Sequence, residues 1–572
     1  MNWIFNQFNS DLQGPEGVPL AMLNILDRKG IRGDAAVNEY LYHSEINFDP
    51  FMLNDLLSAV EKIIETAEQG KMICVYGDYD ADGICSASVL ISVLRKISAE
   101  CCYYIPSRFS DGYGLNFAAI DRIKKEYGPE LLITVDCGST SCEEVEYAKS
   151  LGIDVIVTDH HTPAADVPDC LFVNPKRSDN TYPFTGLSGC GVVFKLVQGI
   201  QRVLNERGDL RFTKSDQNEL LDLVAISTIA DVVPLVSENR TLVKYGLKKI
   251  NSCRRPGLCA LVDVLGLEPG KIDSEQVAYV ISPNINALGR VASASLGVEL
   301  LADSDKNYGE LYSLAISMKN ANTQRKSLQE TTASICRDSL ESCDCGELFT
   351  VILAPGAHEG VAGIVAGNLK EKLYRPVCIA TPSSDGVLKG TGRSVPGVNL
   401  HEMLSSCSEL FVRFGGHSGA CGFTIKEENL DRFRDKMQVR MQELLSNDPE
   451  LLTETLLIEK VLDKSEKNVR FAESLSLLEP FGEGNVQPVF ALKSADVSAV
   501  RFLGSDKKHV RFTAVCSDAV PVNCILFSRA DEFRTLLLNG DKLDIAGSIS
   551  VNEFNGSRKL QLTVIDIHRS ID

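Results

Sequence analysis

One stretch of nine residues constrains this chain more than any other: Val75-Tyr76-Gly77-Asp78-Tyr79-Asp80-Ala81-Asp82-Gly83, with carboxylates at three alternate positions. Three acids so close together repel one another unless cations lie between them. The apolar run Met72 to Tyr76 reads as a short buried strand and Ser86 to Leu94 as a helix, which puts the acids in a strand-to-helix loop. In open α/β sheets, ligands bind at that edge. Read as an extended segment, the alternation aims all three acids the same way. Oxygen ligands of this kind suit Mg²⁺ or Mn²⁺ better than Zn²⁺. The stretch therefore implies a metal-dependent phosphoryl site in an α/β fold.

The flanking sequence repeats the same rhythm. Strands are predicted at Cys101 to Ile105, Leu131 to Val135 and Val155 to Val157, with helices at Ala118 to Glu126 and Cys142 to Ser150 between them. Short connections of this kind give a doubly wound parallel sheet. The strand ends carry Asp136, in Thr-Val-Asp-Cys-Gly-Ser, and Asp159-His160-His161. Further on, the helix ending near Ile229 must stop ahead of Pro234, which leaves Asp231 at its terminus. Tyr308 to Glu341 has few breakers and reads as one long connecting helix. A second α/β unit follows, then short alternating runs beyond Leu451 that fit a small barrel of the OB type.

At 572 residues the chain requires several domains. Its 18 cysteines include no Cys-x-x-Cys pair, so a reduced, cytoplasmic setting is expected, and no apolar run reaches membrane-span length. The net charge of -19, taken alone, argues against a nucleic-acid binder of the simple basic-surface kind. It does not exclude a nuclease whose acids bind cations beside a local basic groove.

Asp80, Asp82, Asp136, His160 and Asp231 form a candidate two-metal set. Any one of the acids alone reads as a helix cap. Capping, however, calls for one acid per helix, not three in five residues, and gives no reason for adjacent histidines in a chain with only 8. The glycine cluster from Gly415 to Gly422 either cradles a phosphate beside His417 or makes a tight turn between strands. Gly186 to Gly191 reads as a turn and helix start. Arg290, Arg325, Lys326, Lys389 and Arg393 are candidates for a nucleic-acid path or for an ordinary solvated face.

Asp78 to Gly83, Asp159-His160-His161, Ile285-Asn286-Ala287 with Gly289-Arg290, Gly390 to Pro396, Gly415-Gly416-His417 and Leu478 to Asn485 resemble the motifs of the DHH phosphoesterase superfamily, and of its RecJ exonuclease branch in particular. Residues 1–55 carry few periodic features and read as an N-terminal arm packed on the first domain. The resemblance, which runs from about residue 50 to the C-terminus, implies a DHH domain (56–300), a connecting helix (301–345), a DHH-associated domain (346–450) and an OB domain (451–572). It implies 5′ to 3′ hydrolysis of single-stranded DNA to mononucleotides with two Mn²⁺ or Mg²⁺ ions per active site, in DNA repair and recombination. A single-strand-binding protein and a helicase are the implied partners. Carried over by position, Asp136 bridges both ions, Asp80 binds the first, and Asp82, His160 and Asp231 bind the second. His161 faces the scissile phosphate, Arg108, Thr391 and Arg393 hold the 5′-phosphate, and Arg290, His358, Gly415, Gly416 and His417 line the DNA path. Tyr76 stands where many DHH enzymes have a histidine, so Asp78 is the candidate to complete the first site. Two alternatives share the fold: a phosphodiesterase for short oligonucleotides or cyclic dinucleotides, and a non-catalytic replication scaffold.

Overall fold

The computed structural model describes residues 1–43, 45–107, 114–302, 305–341, 347–383, 386–554 and 556–571. Arg108, expected in the 5′-phosphate pocket, lies outside the described residues. In the first domain five parallel strands run in the order Cys101–Tyr104, Ile73–Gly77, Leu131–Val135, Asp154–Thr158 and Leu171–Val173. Ile73–Gly77 and Leu131–Val135 are buried along their whole length, as strands covered by helices on both faces must be. The chain order reverses between these two strands. That is the switch point at which such sheets open a crevice for ligands, and Asp78 and Asp136 each follow one of the two strands directly.

The helix after the acid loop runs Ala81–Lys96, five residues earlier than the sequence suggests. Gly83 sits inside its first turn, where only glycine fits, since a Cβ there would lie 2.4 Å from the Asp78 carbonyl oxygen. The three acids are consequently not on one extended segment. Asp80 is the N-cap, accepting from the amides of Asp82 and Gly83, and Asp82 is within the helix.

The helix Tyr308–Glu341 leads to a mixed sheet ordered Phe411–His417, Ala420–Lys426, Val387–Arg393, Val377–Pro382 and Thr350–Leu353, in which only the last pair is parallel. Beyond it, Val489–Leu503, His509–Val515, Pro521–Leu526, Ser557–Arg569 and Leu543–Phe554 form a barrel closed by pairing of the first strand with Leu543–Phe554. This is the expected OB-type closure.

The N-terminal arm departs from expectation. Asn2–Phe5 pairs in parallel with Thr455–Ile458, and Ala21, Met22, Ile25, Leu26 and Leu41 share a core with Phe471, Phe490 and Leu562 of the barrel region. Only the end of the arm rests on the first domain: Phe48 and Phe51 pack on its core, and the buried Lys195 Nζ donates to the Phe48 carbonyl oxygen at 2.7 Å. The apolar face of the helix Leu20–Arg28 finds its partners some 450 residues downstream, at Phe471 and Phe490.

Candidate active site

The acids and histidines converge as two groups of ligand atoms on the switch point. Asp78, Asp80 and Asp136 form one, and Asp82, His160 and Asp231 the other; within each, the ligand atoms lie within 4.8 Å of one another. Asp136 joins the two: its Oδ1 is 3.2 Å from His160 Nε2, which is also 3.5 Å from Asp231 Oδ2 and 3.8 Å from Asp82 Oδ2. Asp136 Oδ1 and both ring nitrogens of His160 are buried without a hydrogen-bond partner among the described residues. Buried polar atoms are rarely left so. An oxygen and an imidazole nitrogen converging in this way suit a hard divalent cation that tolerates nitrogen, such as Mn²⁺.

The electrostatics agree. Burial, and then the charges of Asp82 and Asp80, hold the Asp136 carboxyl well above the ordinary range. The same causes push Asp231 up to about 8, and burial with Asp82 raises Asp80. Burial lowers the His160 pKa, which favours the neutral imidazole. A cation between these groups relieves the repulsion that raises the acids.

Asp82 is fixed most firmly. Its Oδ2 accepts from the Gly189 amide at 2.7 Å, and its Oδ1 from the Cys190 amide at 2.8 Å and Ser227 Oγ at 2.6 Å. Gly189 and Cys190 begin the helix Gly189–Glu206, whose N-terminus favours a carboxylate. Gly189 is also required by space, since a Cβ there would lie 2.5 Å from Asp136 Oδ1. The stretch Gly186 to Gly191 is therefore part of the site as well as a helix start. A Gly/Ser-rich N-cap aimed back at a strand end was the available signal. Asn286 is a further missed residue: its Oδ1 accepts from the Ala81 amide at 2.8 Å and ties the acid loop to the helix Ser282–Val291.

Asp159, Asp136, His160 and His161 form a third group of nearby ligand atoms. The oxygens of Asp159 are already engaged: Oδ1 accepts from the amides of His160 at 2.7 Å and His161 at 3.1 Å, and Oδ2 from that of Ser139 at 3.0 Å. His161 Nδ1 lies 2.8 Å from Asp159 Oδ1. Burial works against the imidazolium, but Asp159 outweighs it and lifts His161 to about 9. The two histidines thus differ in charge as well as direction, with ring planes 59° apart. Tyr76 belongs to the core instead, its hydroxyl donating to the Gly114 carbonyl oxygen at 2.8 Å.

Most of the substrate-path candidates are on the second domain. A groove of about 500 Å³ is lined by Tyr79 from the acid loop and by Lys389, Thr391, Arg413, Gly415 and Glu359 from the second domain. Arg393 Nη1 reaches Thr391 Oγ1 at 3.3 Å and the Gly392 carbonyl oxygen at 2.8 Å. His358 caps the helix Glu359–Leu373, and Arg290 crosses from the first domain to the Gly360 carbonyl oxygen at 2.9 Å. Gly415 to His417 end one strand of a hairpin paired with Ala420–Lys426, the tight-turn alternative of the sequence reading. Gly416, at φ 140°, leaves no room for a Cβ, which would lie 2.3 Å from the Ala420 carbonyl oxygen. The hairpin still bears on the site: after burial, the charges of His161 and Lys176 are what lower the pKa of His417.

The chain matches the DHH family, N-terminal domain, over residues 72–228, the DHHA1 domain over 346–443 and the RecJ OB domain over 458–566. It is 34% identical over 546 residues to the single-stranded-DNA-specific exonuclease RecJ of Bacillus subtilis, covering 95% of this chain and 67% of that one. To its namesake in Escherichia coli it is 33% identical, covering 89% and 90%. The crystal structure of RecJ with Mn²⁺ from Thermus thermophilus superposes with a TM-score of 0.81 at 28% identity, covering 100% of this chain and 80% of that one. A RecJ structure with Mg²⁺ from the same organism gives 0.76 at 27% identity, covering 100% and 79%.

Proposed function

The chain belongs to the RecJ family of single-stranded-DNA-specific exonucleases, and from that premise we propose that it degrades single-stranded DNA from the 5′ end to 5′-mononucleotides with two Mn²⁺ or Mg²⁺ ions. The observation that carries this is the pair of ligand groups joined at Asp136, with Asp136 Oδ1 and both His160 nitrogens buried and without a hydrogen-bond partner among the described residues. Asp78, Asp80 and Asp136 would hold one ion, and Asp82, His160 and Asp231, again with Asp136, the other. When bound, such cations withdraw charge from phosphodiester oxygens and acidify water.

The chain's own groups do the rest. The Gly189 and Cys190 amides and Ser227 hold the Asp82 carboxylate in its orientation. His161, charged at neutral pH through Asp159, offers a positive donor to a phosphate oxygen. Thr391 and Arg393 supply a clamp for a terminal phosphate, for which a guanidinium fork is suited. Phe414 and Gly415 of the hairpin line the same groove as Tyr79 of the acid loop, the path this reading gives to a single strand and denies to a duplex. The barrel adds a surface for the trailing strand.

Among the described residues no helix is long and apolar enough to cross a membrane, and the cysteines are free thiols. A cytoplasmic enzyme of repair and recombination, fed by a helicase and a single-strand-binding protein, fits this setting. Digestion of 5′- and 3′-labelled strands, single and duplex, with and without Mn²⁺ tests the proposal. It expects labelled mononucleotide at once from the 5′-labelled single strand only; early release from the 3′ label, or equal attack on duplex, would refute it.

A further inference from the structure

The segment that carries Asp231 is not held by the first domain alone. Asp231 ends the helix Leu221–Ala230. The next residue, Val232, has φ 55°, a left-handed conformation that a β-branched side chain resists, and it is 65% exposed. Such a conformation persists only where the surroundings over-determine it. On the upstream side the helix does so, through the Asp231 amide to the Ser227 carbonyl oxygen at 2.9 Å.

On the downstream side Asn239 of the first domain donates to the Pro234 carbonyl oxygen at 3.0 Å, and a second anchor comes from the far end of the chain. The Leu235 amide donates to the Glu483 carbonyl oxygen at 2.7 Å. Gly482 and Gly484 pack directly on the same segment: a Cβ on Gly482 would lie 2.7 Å from Leu235 Cδ1, and one on Gly484 3.1 Å from Pro234 Cβ. The turn that presents these atoms is braced from within. Gly482 and Asn485 exchange backbone hydrogen bonds at 3.1 Å, and the buried Asn485 side chain donates to the carbonyl oxygens of Leu478 at 2.8 Å and Pro480 at 2.7 Å. Asn485 Oδ1 accepts from Lys29 of the arm at 2.6 Å. The stretch before the turn is fixed by Arg240, whose buried guanidinium donates to the carbonyl oxygens of Leu477 at 3.1 Å, Glu479 at 2.9 Å and Tyr40 at 3.2 Å.

We propose that the turn Phe481 to Asn485 is a positioning element of the active site, holding the strained Asp231 to Leu235 segment so that Asp231 faces His160 and Asp82. Asn485 is its central positioning residue. The first cation group, Asp78, Asp80 and Asp136, has no such dependence, because its members follow two sheet strands of the first domain. The inference rests on the proposed role of Asp231 as a cation ligand. It adds that one of the two cation sites is completed by the C-terminal region and the arm.

The test is Mn²⁺ binding to the chelator-stripped full chain without DNA, read from the paramagnetic resonance of free Mn²⁺. Wild type is expected to bind two ions and Asp231→Ala to lose one of them. Asn485→Ala should weaken that same site by about ten- to a hundredfold and leave the other unchanged, the usual effect of removing support from a metal ligand. Asparagine tolerates a left-handed conformation far better than valine, so Val232→Asn added to Asn485→Ala should restore much of the lost affinity. Gly482→Ala, which pushes on Leu235 and leaves the hydrogen bonds of the turn in place, should reproduce the loss and decides the matter if Asn485→Ala does not fold. If Asp231→Ala still binds two ions as wild type does, the reading of Asp231 as a ligand fails. If Asp231→Ala loses a site while folded Asn485→Ala, or Gly482→Ala in its place, binds both as wild type does, only the positioning role fails.

Discussion

A single added methyl group at Gly189 should disable the enzyme. The Cβ of Gly189→Ala would stand 2.5 Å from Asp136 Oδ1 and 2.6 Å from Asp136 Cβ. Ordinary carbon–oxygen contacts begin at about 3.3 Å, so one partner must retreat by about 0.8 Å. Neither is free to do so, since Gly189 donates its amide to Asp82 at 2.7 Å and Asp136 is a buried residue at φ 62°. Overpacking of this kind costs about 1–3 kcal/mol, which lowers Tm by about 2–10 °C in a domain of this size. The catalytic cost is of the same order in free energy but easier to read: displacement of a reacting constellation by about 1 Å reduces the rate about a hundredfold. Gly191→Ala is the control, because its Cβ would meet only Leu187 atoms and the Ser188 hydroxyl, at 3.3 to 3.4 Å. The assay is the initial rate of nucleotide release from a 5′-phosphorylated single strand at saturating Mn²⁺, with thermal melting beside it. Gly189→Ala retaining more than about a tenth of the wild-type rate would refute the close-approach argument.

In chelator, stability should fall as pH rises from 6 to 9, because Asp231 at about 8 and His161 at about 9 both have folded pKa values above their ordinary ones, so the folded state binds more protons. Added Mn²⁺ should flatten that slope; a melting temperature that is level or rising over this range in chelator would contradict it. Asp136→Ala should leave less than about a tenth of activity, as befits a ligand common to both ions. It should melt no lower than wild type in chelator, since it removes a carboxyl that burial and its acidic neighbours disfavour. Arg393→Ala should reduce the preference for 5′-phosphorylated over 5′-hydroxyl ends, with Arg393→Lys recovering part of it; an unchanged ratio of initial rates removes Arg393 from the terminal pocket. Truncation after Leu451 should cost a Mn²⁺ site and expose the apolar face of Leu20–Arg28, rather than only weaken binding to long strands; a truncated chain with both sites intact would count against this.

The acids, the histidine pair and the parallel sheet were legible because their signals are local: a strand of buried residues, then a polar residue at its end. The course of the acid loop was not, since the helix begins at Ala81 with Gly83 close against the Asp78 carbonyl oxygen, a contact that only the fold shows. The arm was misplaced for a different reason. Asn2–Phe5 finds its strand partner at Thr455–Ile458, and nothing in either segment names the other. Asp159 was visible in its motif, but only the geometry shows that its oxygens are taken up by backbone amides and His161. The strand Leu543–Phe554, rich in small and polar residues, was also silent until barrel closure paired it on both sides.

Anomalous diffraction at the manganese edge from crystals grown with Mn²⁺ tests the central claim most directly. Two peaks about 3.5–4 Å apart are expected, one bounded by Asp78, Asp80 and Asp136 and the other by Asp82, His160 and Asp231, with Asp136 touching both. A single peak, or a peak held by Asp159 and His161 instead, would contradict it.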